Sequence, residues 1–311
     1  SPLINNSGYC LAVEKLAGVA IPERGQYLRV IASEISRVTD HLTCIAASAM
    51  EMGAFTVFLY LVEGREELYR MVDKLTGARV TTSYTRVGGV KSDLPPGFEA
   101  GLKAAFAKVR VMVKETEALL TKNRIFRDRT EGTGIISKKD AVAWGITGPF
   151  LRSTGVPYDV RRAAPYLVYD KLDFDVPVGA AGDNYDRYLV RLAEIEQSIR
   201  IVEQCFAQIP AGEVSLTQDE MKDAFSIVDE GKAGEVALLW KYKAKLDQTL
   251  EGSERGCKAG ISAAKPEWVL PAKEETYGSI EGLMRHFELI MWQRGLRPPA
   301  GEAYMAVEGG N

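Results

Sequence analysis

Glu34, Arg37, His41, Cys44, Ser48 and Glu51 recur at intervals of three and four within one stretch, Pro22 to Phe58. On a helix of 3.6 residues per turn that spacing aligns them in a single stripe. Two carboxylates, a guanidinium and an imidazole in one row can pair charges, donate hydrogen bonds or exchange protons. About one residue round the helix, Ile31, Ile35, Val38, Leu42, Ile45 and Ala49 form an apolar stripe that has to be buried. The ionisable row therefore borders a core. Glu34, Arg37 and His41 read as a structural network holding the helix. Glu51, set among Met50, Met52 and Phe55, reads from spacing alone as a helix-end carboxylate in water or in a structural ion pair. The alternative is an acid in an apolar setting, which would raise its pKa.

The element that positions these groups is predicted to be one long helix from Pro22 to Phe58, with Pro22 suiting its first turn and Gly53 its end. At roughly thirty residues it would be ~45 Å long, enough to run through the middle of a domain. A second helix is expected over Glu63–Thr76, stopped by Gly77. The stretch 77–97, GARVTTSYTRVGGVKSDLPPG, has no helical period and makes tight turns. Helix returns over Gly97–Lys122, with Leu102, Ala105, Phe106, Val109, Met112 and Val113 inward. Ser137 with Asp140 forms a capping box for a short helix to Trp144.

From Gly148 to Gly182 the chain is irregular, with β-like fragments YLVYD and FDVPV. Its basic cluster Arg152, Arg161 and Arg162 suits acidic partner surfaces, a solvated face or internal salt bridges equally. Asp183 caps a helix over Asn184–Ile209. Three parts are expected: a helical core over 1–212, an inserted or peripheral helical subdomain over 213–275 with its own core cluster Leu238, Trp240 and Tyr242, and a C-terminal stretch over 276–311. That last part holds a helix over Ser279–Trp292 and a tail without a packed terminus.

Composition narrows the possibilities. The 311 residues permit one large or two ordinary domains. Lys and Arg number 39 against 42 acidic residues, a net charge of −3, so no broad cationic field points to nucleic acid. Cys10, Cys44, Cys205 and Cys257 are scattered without a CxxC, which indicates neither a zinc site nor a disulfide framework and fits a reducing compartment. Cys44 and Cys205 read as small core residues. No apolar run reaches the ~18 residues that suggest a membrane span. Gly88-Gly89 belongs to no GxxxxGK or GxGxxG pattern, so a nucleotide site is not expected. The start, Ser-Pro-Leu-Ile, without an initiator Met, suggests a chain that begins inside a longer protein.

Several blocks, in order, resemble the D subunit of proton-pumping NADH:quinone oxidoreductase, respiratory complex I: AVEKLAGVAIPERGQYLRVIASEISRVTDHL, RVGGVKSDLPPGF, NRIFRDRTEGTGI, GPFLRSTGVPYDVRRAAPYLVYDKLDFDVPVG, GDNYDRYLVRLAEIEQSIRIVEQC and SIEGLMRHFELIMWQRGLRPPAGEAYMAVE. The resemblance implies a mainly helical α+β fold, a long-helix bundle with small β segments related to the core of nickel-iron hydrogenase large subunits. It implies one wall of a quinone chamber against a partner subunit that carries a [4Fe–4S] cluster, with no cofactor or metal bound by this chain. The expected partners are that subunit and the rest of complex I, and the expected place is peripheral, on the cytoplasmic side of a bacterial inner membrane. The isolated chain is expected to be inactive.

Residue by residue, the resemblance places Glu51, in MEMGAFTVF, where the family has an Asp, so Glu51 is the candidate proton-exchanging residue and Ala47, Met50 and Glu51 the chamber lining. Thr81, Tyr84 and Arg86 fall in the loop near the partner's cluster. Thr81 stands where many members have a titratable His, so weaker coupling of the cluster to pH is expected. Two rivals remain. The large subunit of an energy-converting nickel-iron hydrogenase would need CxxC pairs, one of which would end where Ser1 stands, and stoichiometric nickel would reveal it. A non-catalytic scaffold subunit would be indifferent to loss of the Glu51 carboxylate.

Overall fold

The computed structural model describes residues 1–217, 220, 226–227, 278–290, 296–297 and 301–310. It divides into two compact units, Ser1–Leu216 with Glu302–Asn311, and Thr217–Gly301.

In the first unit, helix α1 (Pro2–Ala17) ends at Gly18 in the left-handed conformation. No helix was expected over these residues from the sequence. Helix α2 (Glu23–Glu51) follows and buries Ile31, Ile35, Val38, Leu42, Ile45 and Ala49, the whole of the apolar stripe. The single helix expected to Phe58 is divided. α2 stops at Glu51, and α3 runs over Phe55–Thr76. The cause is Gly53, at φ 89°. The Ala54 amide donates back to Ala49 O at 2.8 Å and the Gly53 amide to Met50 O at 2.9 Å, the paired bonds of a Schellman motif. A three-residue connection turns α3 back along α2 as a helical hairpin. Gly53 suits a helix end, as the sequence indicated, but the apolar period resumes beyond it in buried Val57 and Leu61, which now belong to a second helix.

Strands β1 (Thr85–Arg86) and β2 (Gly89–Val90) pair antiparallel, Thr85 opposite Val90 and Arg86 opposite Gly89. A third extended piece closes on them: the Val90 amide donates to Val214 O at 3.1 Å and the Leu216 amide to Gly88 O at 2.8 Å. Helix α4 (Phe98–Leu120) packs on α3 through Leu102, Ala105, Phe106 and Val109. The short helices α5 (Arg124–Thr130), α6 (Lys138–Ala143), α7 (Gly148–Arg152) and α8 (Val160–Ala163) carry the chain to α9 (Asn184–Gln208), which packs against α2. Ser137 caps α6 by accepting from the Asp140 amide, and Asp183 caps α9 by accepting from the Asp186 amide, both as the sequence indicated.

The β-like fragments are not strands. YLVYD contains a 3-10 turn over Tyr169–Lys171, and in the stretch leading into FDVPV the amides of Asp173 and Asp175 donate to the side chains of Gln204 and Gln197 on α9, which stand in for a neighbouring strand. The tail also departs from expectation, since Met305, Ala306 and Val307 pack against the core and Glu308 is buried.

The second unit holds helix α10 (Ile280–Ile290) and an antiparallel pair, β3 (Ser226–Ile227) with β4 (Leu296–Arg297). The readings made for 231–277, including Leu238, Trp240, Tyr242 and Cys257, lie outside the described residues.

Candidate functional site

The ionisable row on α2 divides in two along its length. Glu34, Arg37 and His41 are completely buried, Cys44 is half-buried, and Ser48 and Glu51 are exposed. Burial of the first three is tolerated because each is paired. Glu34 accepts from Arg37 Nε at 3.1 Å, from Arg161 Nη1 at 3.1 Å and from the Tyr169 hydroxyl at 2.5 Å. Burial opposes its charge, but the two guanidiniums and the phenol together hold its carboxyl below the usual range. Burial pushes the Tyr169 hydroxyl well above its ordinary value, reinforced by the Glu34 charge, so Tyr169 stays a donor.

Arg161 also donates to Asp159 at 2.7 Å, and Arg152 donates from Nε to Glu194 at 2.6 Å and from Nη1 to Glu308 at 2.8 Å. His41 Nε2 lies 3.0 Å from Glu194 Oε2. Burial outweighs the pull of that carboxylate and holds the imidazole below its usual pKa, and neither ring nitrogen completes a hydrogen bond. Arg37 reaches the tail, donating to the carbonyls of Glu308, at 3.0 Å, and Gly309. The network expected from Glu34, Arg37 and His41 is thus present. Its larger half, Arg152, Asp159, Arg161, Tyr169, Glu194 and Glu308, carries no periodic signal in the sequence. Of the basic cluster, Arg152 and Arg161 resolve to internal ion pairs, while Arg162 lies over the Phe174 ring at 4.1 Å.

At the other end of α2 the surface is open. Asp40 and Cys44 are half-buried, and Thr43, Ala47 and Glu51 are exposed on one side of the last three turns. The apolar setting expected around Glu51 is not closed by this chain. Met50 and Met52 are half-buried, and Phe55 and Leu59 on α3 are 57% and 50% exposed, a greasy surface beside the acid rather than a pocket around it. One cation missed in the sequence sits here: Arg129, at the end of α5, donates to Met52 O at 2.5 Å and so neutralises the C-terminal end of α2 one residue past Glu51.

Thr81, Tyr84 and Arg86 occupy a different place. Tyr84 is buried and donates to Ser92 O at 3.0 Å, while Thr81 and Arg86 are exposed. Thr85, next to Tyr84 and Arg86, lies 3.4 Å from the Ser7 hydroxyl, which is itself 3.5 Å from Ser33 on α2. Ser33 precedes Glu51 by eighteen residues of helix, about 27 Å at 1.5 Å per residue. The structure therefore does not bring the two sets of candidate residues together. It spaces them along one helix, with the charge network packed behind.

The central helix of this helical protein thus buries one run of its ionisable groups in a charge network and leaves Glu51 exposed at its far end. The model of the respiratory-chain NADH dehydrogenase 49 kDa subunit family matches residues 51–311, and the chain belongs to that family, which includes the D subunit of complex I. It is 47% identical over its full length to the D subunit of the NADH-quinone oxidoreductase of Myxococcus xanthus, covering 63% of that protein. It is 44% identical over its full length to a D subunit of the same enzyme from Sorangium cellulosum, covering 65%. Over 99% of the chain it is 42% identical to the C/D subunit of the Bdellovibrio bacteriovorus enzyme, covering 46%. The chain thus spans less than two thirds of the length of these relatives. Among the described residues no three His, Cys, Asp or Glu side chains are grouped to hold a metal, and no helix is long and apolar enough to cross a membrane.

Proposed function

We propose that this chain forms one wall of the quinone chamber in an NADH:quinone oxidoreductase, beside the terminal [4Fe–4S] cluster of a partner subunit, on the cytoplasmic face of the inner membrane. The observation that carries this reading is Glu51: an open carboxylate on the last turn of α2, flanked by half-buried Met50 and exposed Phe55, in a chain of the 49 kDa subunit family. The cluster supplies electrons to the quinone. This chain's part is to line the path and to exchange the protons that reduction requires.

Ala47 and Met50 present small and apolar contact beside Glu51, and Arg129 caps the helix end through Met52 O. A quinone takes up protons with its electrons, so Glu51 serves the reaction by giving a proton to the reduced quinone and being reprotonated from outside the chamber. The buried network of Glu34, Arg37 and His41 keeps the rod straight and in register rather than carrying protons.

In the assembled complex, Glu51→Gln should lower quinone reduction by about a hundredfold, the low end of what a positioned acid or base contributes, with assembly and cluster content unchanged. Unchanged quinone reduction at normal assembly would leave a scaffold subunit as the reading.

A further inference from the structure

Glu14 on α1 and Arg29 on α2 form a buried bidentate ion pair, their side chains 4% and 0% exposed. Arg29 Nη1 donates to Glu14 Oε2 at 2.8 Å and Nη2 to Oε1 at 2.5 Å. Among the described residues, the other hydrogen bonds of the two side chains go to the turn between β1 and β2. Arg29 Nη2 donates to Arg86 O at 2.7 Å, Nη2 and Nε both reach Gly89 O, at 3.0 and 3.2 Å, and the Gly88 amide donates to Glu14 Oε1 at 2.7 Å.

One ion pair thus fixes three peptide groups of a turn whose glycines stand at φ 90° and 153°. From the opposite side residues 214–216 hold Val90 and Gly88, and the Ser215 hydroxyl donates to Val90 O at 2.6 Å. A buried ion pair contributes little net stability over an apolar replacement. What this one supplies is direction, because a guanidinium fork and a carboxylate have fixed hydrogen-bond vectors that an apolar contact lacks.

We propose that Glu14 and Arg29 are positioning residues that set the turn over residues 86–89, and with it the exposed Arg86 side chain, in the orientation that faces the partner subunit's cluster. The clamp rests on the contacts above. Its catalytic meaning rests on the proposed reading that this turn borders the cluster.

The test uses the whole complex carrying either Glu14→Asp, which keeps the charge but withdraws it by one methylene, or the paired change Glu14→Gln with Arg29→Met, which removes both charges together. Amide hydrogen exchange over residues 84–90 and the electron paramagnetic resonance spectrum of the terminal cluster are read side by side. Exchange in the turn should rise at least tenfold in the paired variant and by less in Glu14→Asp, with α2 and α3 unchanged, and the cluster's spectrum should shift in step. Exchange at the wild-type rate in both variants would overturn the clamp. Faster exchange with an unmoved spectrum would overturn the cluster-facing half and the reading beneath it, and leave the clamp standing. Failure of both variants to assemble would also overturn the proposal, since the pair would then be a requirement of the whole fold rather than of the turn.

Discussion

His41 is the residue whose surroundings make the plainest demand on pH. It is packed against Glu194, with Arg37 and Arg191 near enough to oppose its charge, and burial holds its folded pKa below the ordinary value. The unfolded chain takes up a proton near pH 6.5 that the folded chain refuses. Stability is therefore level above about pH 6.5 and falls on acidification, by up to about 1.4 kcal/mol per pH unit, until the folded pKa is reached. Glu34 and Glu194, both held low by their cationic and hydrogen-bonding neighbours, add a second loss below about pH 4.5 in the same direction. Thermal unfolding of the full-length subunit between pH 7.5 and 4 should show both stages, and His41→Gln, which replaces the ring by a polar group that does not titrate, should flatten the first alone. The spacing of Glu34, Arg37 and His41 was readable in the sequence because helix geometry converts intervals of three and four into a row. Their partners were not: Arg161 is 127 residues from Glu34, and nothing local in PYDVRRAAPY separates an arginine bound for the core from one bound for solvent.

Among the elements, the β1–β2 turn is the least forgiving. A Cβ on Gly89 would lie 2.3 Å from Val214 O and 2.5 Å from Ser215 Cα, on a backbone at φ 153°. Gly89→Ala should cost well above the 1–3 kcal/mol of an unfavourable backbone conformation alone, since the 214–216 segment has to move away. Gly18→Ala, also at positive φ but with nothing within 4 Å, should cost only about 1–2 kcal/mol. Comparing the two unfolding midpoints checks the distinction. The sequence showed that GARVTTSYTRVGGVKSDLPPG must turn tightly, yet not that a third extended piece from beyond α9 closes on it, because that pairing joins residues about 125 positions apart. The single helix expected from Pro22 to Phe58 failed for a related reason: hydrophobic period reports which face is buried, and because it resumes at Val57 and Leu61 it did not show that Gly53, a fitting helix end, also reverses the chain.

At the scale of the whole molecule, the caps at Ser137 and Asp183 and the buried faces of α2 and α4 all followed from local pattern. The closure of the core did not. Glu308 accepts from Arg152 at 2.8 Å and from the Val160 amide at 3.1 Å, and the Glu308 amide donates to the Tyr166 hydroxyl at 3.2 Å, contacts that span 142 to 156 residues. Glu308→Ala should destabilise the full-length subunit by about 3–5 kcal/mol, because Arg152 is left buried without that counter-charge. Glu308→Gln, whose amide oxygen can still accept, should recover part of the loss. Denaturant unfolding of the two variants separates them.

The position of Glu308 has a further consequence for how the protein is made. Arg37, on α2, and Arg152, on α7, acquire their last acceptors only when residues 308 and 309 have left the ribosome. Until then a nascent chain that has already synthesised α1 to α9 holds two cations inside a helical core with part of their pairing missing. The core is thus closed well after α9 is made, by a short segment that follows about a hundred intervening residues.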